Sequence, residues 1–594
     1  MRFLCYPAIL KILVVGIYIG FTADPIAAID RFVPSQYQTI QDAVDDSLSG
    51  DRIFVSPGFY PGSVDLLGKS LMLIGTGGPT LTTIQGVTAG SLLTIVGNQG
   101  PTTVIEGFTF SGGIGQSVGF PPQLVGGAIY VRFASPTILD CHIIGNEATN
   151  GGGIYLDTSG ASISGLTFTQ NSAAEGGAIL AVDSLPTIEN CSFSSNTAFG
   201  RGGAIQLLRS PAQIQSCTFV GNSANRGGAI SCSDSDIEMI DGLVASNVAL
   251  EHGGGISLED FSDAEITDVS ILENEGLFGG GIGVTHFSNA VITDVEILDN
   301  ISGEGGGIRI FESSPQLNRV SIRRNVANGS GMASGEGGGI YMQLRCDPVI
   351  RSTLIAENQA MIAGGGLFCR WESEPLLVHV TIADNHASQL GGGIALDHYS
   401  IPELWNSIIW GNTSPVDQTI SVDPESDFSF QFTDAEGGFP GEGNLNLDPL
   451  FTADYELDPC SPVIDMGTFA APMLPPLDIA GNMRSRGLRP DFGSWESPPG
   501  TGGCFVRGDV NQDALIDVGD VATSLNYLFS GSSTLTCLDA IDVDDSGFVD
   551  IADPIKLLGF LFLGDAPPLP PELTEPAPDP TEDSLYCDLD DHGL

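Results

Sequence analysis

Apolar residues recur in the middle of the chain at fixed distances before a series of asparagines. Ile, Phe or Val lies three residues before each asparagine, Cys, Val or Leu predominates five before, and Ile or Leu lies eight before; the residues between are mostly polar. This alternation predicts β-strands with one buried face. The asparagines are Asn146, Asn171, Asn196, Asn222, Asn247, Asn274, Asn300, Asn325, Asn358, Asn385 and Asn412.

A second motif, two glycines followed by Gly or Ala and then Ile (once Leu), runs in phase with the first. Its copies follow one another after 25 to 27 residues, except for one step of 32 that contains the insert at 327–336. A period of this size is typical of a solenoid, in which stacked units share one core. The apolar ends of the motif are Ile129, Ile154, Ile179, Ile205, Ile230, Ile256, Ile282, Ile308, Ile340, Leu367 and Ile394.

Two solenoids could carry this pattern, a leucine-rich repeat and a parallel β-helix. The segment that ends in Asn fits the leucine-rich template. The second half of each unit, for example "SANRGGAISCSDSD", consists of Gly, Ser and Asp without helical periodicity. Because a leucine-rich repeat returns through a helix or a helical turn, the parallel β-helix is favoured. Its asparagines are then expected to form a ladder of stacked side-chain amides.

The alternation of "GGAI" with "FTQN", "FSSN" and "FVGN" resembles the repeats of chlamydial polymorphic outer-membrane proteins and of right-handed parallel β-helix proteins with the pectin-lyase fold. The resemblance covers about residues 30–497 and implies a mainly β, right-handed solenoid over 29–497. Its expected parts are an N-terminal cap (29–60), regular rungs (126–412) and a closing segment (413–497). Ile40, Ala43, Val44 and Leu48 follow helical spacing and predict a capping helix.

The first 28 residues have the pattern of a secretory signal peptide. Arg2 and Lys11 precede the apolar run 12–21, and small residues follow near Ala28. The run is far shorter than the ~20 residues that span a membrane. Acidic residues number 73 against 21 Lys plus Arg, which gives a net charge of −52 and makes nucleic acid a poor partner. The chain is expected to be secreted or held at the cell surface.

The cysteines are expected in two settings. Five occupy inward positions of the repeats and are interpreted as small core residues: Cys141, Cys191, Cys217, Cys232 and Cys369. Cys504, Cys537 and Cys587 lie around a small C-terminal module, where export makes a disulfide plausible, with its pairing open.

That module follows a Pro- and Gly-rich linker (498–504), and it contains two twelve-residue segments with the spacing of calcium loops. Side-chain oxygens lie at positions 1, 3, 5, 9 and 12 of each segment, and position 7 would supply a backbone carbonyl. Many oxygens converging from one turn suit a hard cation. The predicted ligands are Asp509, Asn511, Asp513, Leu515, Asp517 and Asp520 in loop 1, and Asp542, Asp544, Ser546, Phe548, Asp550 and Asp553 in loop 2.

An apolar helical stretch follows each loop, and the duplicated unit over 505–566 resembles a type I dockerin, an EF-hand-like module that attaches secreted polysaccharide-active proteins to cohesin domains. The resemblance implies calcium as cofactor and a cohesin-like partner. The sequence departs from this resemblance in two ways. Loop 1 has Ala514 where the turn prefers Gly, and the Ser-Thr pair that often contacts the cohesin is replaced in both copies. The tail 567–594 is Pro-rich and acidic, which predicts extended or disordered chain.

Because the repeats stack, residues at the same position of successive repeats form a row on the surface. Four residues after the motif Ile, consecutive rungs carry Asp234, Asp260, His286 and Glu312. Carboxylates and an imidazole in a row could perform acid–base chemistry on a sugar chain or could be ordinary polar turn residues. Aromatic residues one after the motif Ile could stack on sugars or on each other. His252 and His398 are interpreted as isolated.

The leading functional hypothesis is an exported, calcium-binding β-helix protein that binds carbohydrate or mediates adhesion outside the cell. Motifs of polygalacturonase, pectate lyase, P-loop, zinc and nucleophile-elbow enzymes are absent from the sequence. Two alternatives stay open: a polysaccharide lyase or glycoside hydrolase delivered by the dockerin-like tail, and a structural surface-layer component.

Overall fold

The computed structural model describes residues 28–87, 90–484, 486–498, 504–511, 513, 515–530, 537–568, 577, 585 and 587. The predicted signal peptide except its last residue, Ala514 and most of the tail therefore lie outside the described residues. Parallel strands stack with successive motif residues in register: Ile129 pairs with Ile154, and Ile154 with Ile179. This one-for-one stacking confirms the parallel β-solenoid. The leucine-rich repeat is excluded because the second half of each rung is formed by strands and not by a helix.

We call the sheet that contains the motif Ile residues the motif sheet. It has 14 strands among the described residues, with inward-facing Ile, Leu and Val fully buried. Its strands are Val64–Asp65, Leu93–Val96, Ile129–Arg132, Ile154–Asp157, Ile179–Val182, Ile205–Leu208, Ile230–Ser233, Ile256–Glu259, Ile282–Thr285, Ile308–Phe311, Ile340–Gln343, Leu367–Arg370, Ile394–Asp397 and Ile420–Val422.

The segments before the asparagines form the major sheet, with 26 strands in the described part of the chain. They are Asp30–Val33, Arg52–Val55, Gly58–Pro61, Met72–Gly75, Thr82–Gln85, Val104–Glu106, Thr109–Ser111, Thr137–Leu139, His142–Ile144, Ser162–Ser164, Thr167–Thr169, Thr187–Glu189, Ser192–Ser194, Ala212–Val220, Ile237–Ala245, Glu265–Leu272, Val291–Thr293, Glu296–Leu298, Gln316–Asn318, Ser321–Arg323, Val349–Ala356, Leu376–Ala383, Glu403–Trp405, Ile408–Trp410, Ser429–Gln431 and Asp434–Ala435.

A third, short sheet follows the asparagines, and one antiparallel hairpin, Gln116–Val118 with Gln123–Val125, projects from an early rung. The nine strands of the short sheet are Ser172–Ala173, Thr197–Ala198, Ser223–Ala224, Val248–Ala249, Glu275–Phe278, Ile301–Glu304, Val326–Ala327, Gln359–Ala360 and His386–Ala387. Each regular rung thus passes through three sheets around one core.

The predicted asparagine ladder is present and buried. The Asn196 backbone N–H and side-chain amide both donate to Asn222 Oδ1 at 3.0 Å, and the pattern repeats from Asn146 to Asn412. Each amide also donates to a backbone carbonyl of the preceding rung, as Asn222 Nδ2 does to Phe193 O at 3.1 Å. The ladder therefore satisfies backbone groups at a turn that is sealed from water.

A second ladder, which the sequence reasoning missed, stacks buried serines at the turn between the motif sheet and the major sheet. The Ser184 backbone N–H donates to Ser210 Oγ at 3.0 Å, and the Ser210 N–H donates to Ser235 Oγ at 2.8 Å. Its signal in the sequence is a Ser five or six residues after the motif Ile.

The motif glycines allow the tight turn into the motif sheet. Gly151 has a φ of +64°, and a Cβ there would lie 2.3 Å from the Ile154 carbonyl oxygen. A side chain at this position would collide with the backbone of its own rung, which explains the regular glycine.

The cap helix spans Ile40–Asp45, with Thr39 as its N-cap, and buries Ile40, Ala43 and Val44. The inclusion of Leu48 was wrong, because the helix ends before it and Leu48 is exposed. Parallel stacking already begins at Asp30–Val33, which pairs with Arg52–Val55. The first rungs lack the glycine motif, so the sequence pattern predicts regular rungs only from residue 126.

The closing segment folds back along the outer face of the major sheet. The Arg484 side chain is fully buried, and its Nη2 donates to Ser352 Oγ at 3.2 Å and to Ser494 O at 2.7 Å. Tyr455 donates its hydroxyl to Asp384 Oδ2 at 2.9 Å. The late strands of the major sheet are consequently covered on both faces.

The C-terminal part contains the helices Val518–Ser530 and Ala552–Leu558, the second followed by a π-helical turn, Gly559–Leu563. Disulfides join Cys460 to Cys504 and Cys537 to Cys587. The five repeat cysteines are buried thiols, as predicted, and Cys346 is a sixth. Among the described residues no helix has the length and apolar character needed to cross a membrane.

Candidate functional site

The predicted row lies on an exposed turn, immediately after strands of the motif sheet. Asp234, Asp260, His286 and Glu312 all have φ between 48° and 53°. Short polar residues, Asp and His among them, enter this left-handed region more readily than apolar ones. Backbone geometry therefore already favours polar residues here, whatever chemistry they perform.

The structure brings two of the four side chains together. His286 Nδ1 lies 3.8 Å from Asp260 Oδ1, and about half of each side chain is exposed. Asp260 also accepts a hydrogen bond from Ser233 Oγ at 3.3 Å. The His286 and Phe311 rings form a T-shaped pair with centroids 5.5 Å apart, and Phe311 directly precedes Glu312. These contacts define an acid–imidazole pair rather than a row of four cooperating groups.

An aromatic pair beside this row was missed by the sequence reasoning. Phe261 and Phe287 are 64% and 56% exposed, and their rings stack with centroids 5.5 Å apart and an interplanar angle of 19°. Both residues are insertions into the turn. The ladder serine follows the motif Ile by six positions on these two rungs and by five positions on the three preceding rungs. That change in spacing is the signal that could have revealed them. We call Phe261 and Phe287 the aromatic platform.

The aromatic residues that directly follow the motif Ile are different. Tyr341 and Phe368 stack at 5.4 Å with almost no exposed surface, and Tyr130 packs against Tyr155 at 6.0 Å. Tyr130, Tyr341 and Phe368 are buried and therefore closed to a sugar chain, whereas Tyr155 is partly exposed.

His398 is not isolated, contrary to the sequence interpretation. Its Nδ1 lies 2.6 Å from Asp397 Oδ1, and its backbone N–H donates to Asp423 Oδ2 at 3.2 Å. Asp423 follows the strand that stacks on the rung of Asp397, a neighbour that local sequence spacing does not reveal.

Loop 2 of the C-terminal part gathers three of its predicted ligands. Oxygens of Asp542, Asp544 and Asp553 lie within 4.8 Å of one another. Burial, followed by the charges of Asp542 and Asp544, raises the pKa of Asp553 to about 6. Asp544 Oδ1 is buried without a hydrogen-bond partner among the described residues. This convergence of oxygens fits a hard cation.

The backbone of loop 2 shapes the cluster. Gly547, with φ of 74°, donates its N–H to Asp542 Oδ2 at 2.7 Å, and Asp550 N donates to Asp553 Oδ2 at 2.8 Å. Ser546 Oγ donates to Phe548 O at 3.2 Å. The predicted ligands at positions 1, 5, 7, 9 and 12 are thus connected within one turn.

Loop 1 has a similar framework. Asp520 accepts from the backbone N–H groups of Asn511 and Asp517, and Asp513 N donates to Asp509 Oδ1 at 3.1 Å. Leu515 N donates to Asp513 Oδ1 at 3.0 Å. Within the described part of loop 1, no three carboxylates converge as closely as those of loop 2.

A family model described as "Right handed beta helix region" matches residues 93–244 and 177–341. Together with the parallel register, this match identifies residues 93–341 as a right-handed parallel β-helix region. No curated protein matches the chain in sequence.

Solved structures similar to the chain include two polysaccharide-acting enzymes. The A-module of a mannuronan C-5 epimerase from Azotobacter vinelandii is 12% identical, with 67% of this chain and 94% of that chain covered and a TM-score of 0.30. The catalytic unit of an alpha-1,3-glucanase from Streptomyces thermodiastaticus is 14% identical, with 67% and 69% covered and a TM-score of 0.29.

Proposed function

We propose that this chain is an exported, calcium-binding β-helix protein that binds carbohydrate at or outside the cell surface. The aromatic platform carries the proposal. A sugar ring has an apolar C–H face that packs on an aromatic ring, and hydroxyl groups at its edge that bond to polar side chains. Phe261 and Phe287 offer two such rings on adjacent rungs, with Asp260 and His286 beside them.

Two further features support export and calcium binding. The N-terminal sequence has a signal-peptide pattern, and the two disulfides among the described residues suit an oxidising compartment outside the cytosol. Calcium would be held in loop 2 by Asp542, Asp544 and Asp553, where bound cation would neutralise like charges. A cohesin-like partner for this part of the chain stays a prediction.

Removal of the aromatic platform should weaken carbohydrate binding. The double change Phe261→Ala and Phe287→Ala removes both exposed rings but no core contact, so the fold should persist. We expect at least a tenfold loss of affinity, about 1.4 kcal/mol, for the polysaccharide that the unaltered protein selects from a panel. Affinity electrophoresis or calorimetry measures it.

Phe199→Ala provides the matched control, because Phe199 is an exposed ring outside the platform. This control should bind as the unaltered protein does. Equal affinity of the double variant and the control would contradict a role for the platform.

The alternative of a polysaccharide lyase or glycoside hydrolase is favoured by one observation, the contact between His286 and Asp260. If this pair is catalytic, Asp260→Ala should abolish product release from a polymer while the protein stays folded. Asp183→Ala, at the same position three rungs earlier, serves as control. Product release that survives Asp260→Ala would remove the pair from catalysis, and absence of product with the unaltered protein would favour the binding function over the enzyme.

A further inference from the structure

A cavity of about 210 Å³ lies between the outer face of the major sheet and the returning closing segment. Thr293, Asn318 and Arg351 come from three successive rungs, and Pro475 to Leu477 provide the opposite wall. The wall is anchored, because Ser352 Oγ donates to Leu477 O at 2.6 Å. The cavity is far from the aromatic platform in sequence and lies on a different sheet.

Arg351 is the unusual group in this cavity. Its guanidinium is half-buried, and its Nε and Nη2 donate to the neutral oxygens Asn318 Oδ1 at 2.8 Å and Gln316 Oε1 at 3.1 Å. No carboxylate among the described residues lies within ion-pair distance of it. Burial lowers the pKa of Arg351, and no opposing effect from a carboxylate accompanies the burial.

Arg319, the second arginine of the cavity, has the carboxylate partner that Arg351 lacks. Arg319 binds Asp294 with two hydrogen bonds of 2.6 Å each. The charge of Arg319 is therefore compensated and the charge of Arg351 is not. A partly desolvated cation without an anion is unfavourable, and it is unexpected in a chain with a net charge of −52.

The geometry restricts what could compensate Arg351. A guanidinium has five N–H donors, of which two contact Asn318 and Gln316, and its planar fork suits an anion with two oxygens. The cavity is smaller than a typical ligand pocket of ~300–1,000 Å³, so it fits one small charged unit rather than a long segment.

We propose that this cavity binds the anionic group of an acidic saccharide unit, a carboxylate or a sulfate ester, through Arg351. The anion would complete the ion pair that the protein itself does not supply. The saccharide part of this inference rests on the proposed carbohydrate-binding function, whereas the anion site rests on the cavity and on Arg351.

The test uses the full chain and two variants. Arg351→Gln removes the charge, and Asn318→Asp keeps Arg351 but places a carboxylate at its Nε contact. Binding of a uronic-acid oligosaccharide, a sulfated oligosaccharide and a neutral oligosaccharide would be measured by calorimetry. We expect the unaltered protein to bind one of the two anionic ligands at least tenfold more tightly than either variant does.

Arg345→Gln is the control, because Arg345 is exposed and paired with Glu372. It should bind as the unaltered protein does, and Asn318→Asp should raise the melting temperature without ligand by supplying the missing partner. Anion binding that is equal in all four proteins, or absent from the unaltered protein, would overturn the site.

The two proposals fail in different ways. Loss of neutral-sugar binding on removal of the platform, with no anion binding, would retain the proposed function and refute the cavity site. Anion binding that depends on Arg351, with no loss of neutral-sugar binding on removal of the platform, would retain the cavity site and refute the role of the platform.

Discussion

Asn222→Asp is expected to destabilise the solenoid more than any exposed substitution. Asn222 is fully buried, and its amide donates to Phe193 O at 3.1 Å and to Asn247 Oδ1 at 2.9 Å. A carboxylate would replace both donors by an oxygen that faces two other oxygens. Each buried unsatisfied group costs about 1–3 kcal/mol, so the free energy of unfolding should fall by at least ~3 kcal/mol. Thermal unfolding followed by circular dichroism should show an apparent melting temperature lower by several degrees.

Asn289→Asp is the matched control. Asn289 is exposed, and its side-chain oxygen accepts from Ser314 N, a role that aspartate keeps. Its amide makes only a long contact of 3.4 Å to Phe287 O. The control should therefore unfold close to the unaltered protein. Similar melting temperatures for both variants would show that the asparagine ladder contributes little.

Removal of calcium is expected to destabilise the C-terminal part of the chain. Three carboxylates within 4.8 Å repel one another in loop 2 unless a cation or a proton neutralises them. At one hundred times Kd, calcium bound only to the native state stabilises it by about 2.7 kcal/mol. Calorimetric titration of the full chain should show a tight step that Asp553→Asn abolishes and a weaker step that Asp520→Asn abolishes. Loop 2 should bind more tightly, because Gly547 fits its turn and loop 1 has Ala514.

The same cluster predicts how the destabilisation by calcium removal depends on pH. The pKa of Asp553 is about 6 in the folded chain against an ordinary value of 3.8. Because the folded chain holds this proton more tightly than the unfolded chain does, the free energy of unfolding without calcium falls as the pH rises between those two pKa values. The chelator should therefore lower the melting temperature more at pH 7.5 than at pH 5.

The exposed Asp454→Asn is the control for both measurements. It should leave the heat of binding unchanged. Identical titrations for the unaltered protein and for a variant with Asp542→Asn and Asp553→Asn would remove the calcium proposal and the dockerin resemblance with it.

The repeat, the strands and the asparagine ladder could all be predicted from the amino-acid sequence. These features depend on the repeat alone. An asparagine such as Asn222 lies beside the corresponding asparagine of the next rung, so a period of 25 to 27 residues sets the register of the sheets. The same reasoning placed the twelve-residue loops, whose ligands lie close along the chain, and Asp542, Asp544 and Asp553 do converge. The period gave no guidance in the first rungs, which lack the glycine motif, and the helical spacing up to Leu48 extends past the end of the helix at Asp45.

Which surfaces of the solenoid are covered could be seen only in the folded chain. Tyr341 and Phe287 both follow the glycine motif closely, yet Tyr341 is buried and Phe287 is exposed. The cavity at Arg351 exists because the closing segment returns to the major sheet, and Arg484 contacts Ser352 across 132 residues of chain. Contacts between residues so far apart depend on the path of the whole chain and leave no periodic trace, which is why local patterns revealed the solenoid and not the sites on its surface.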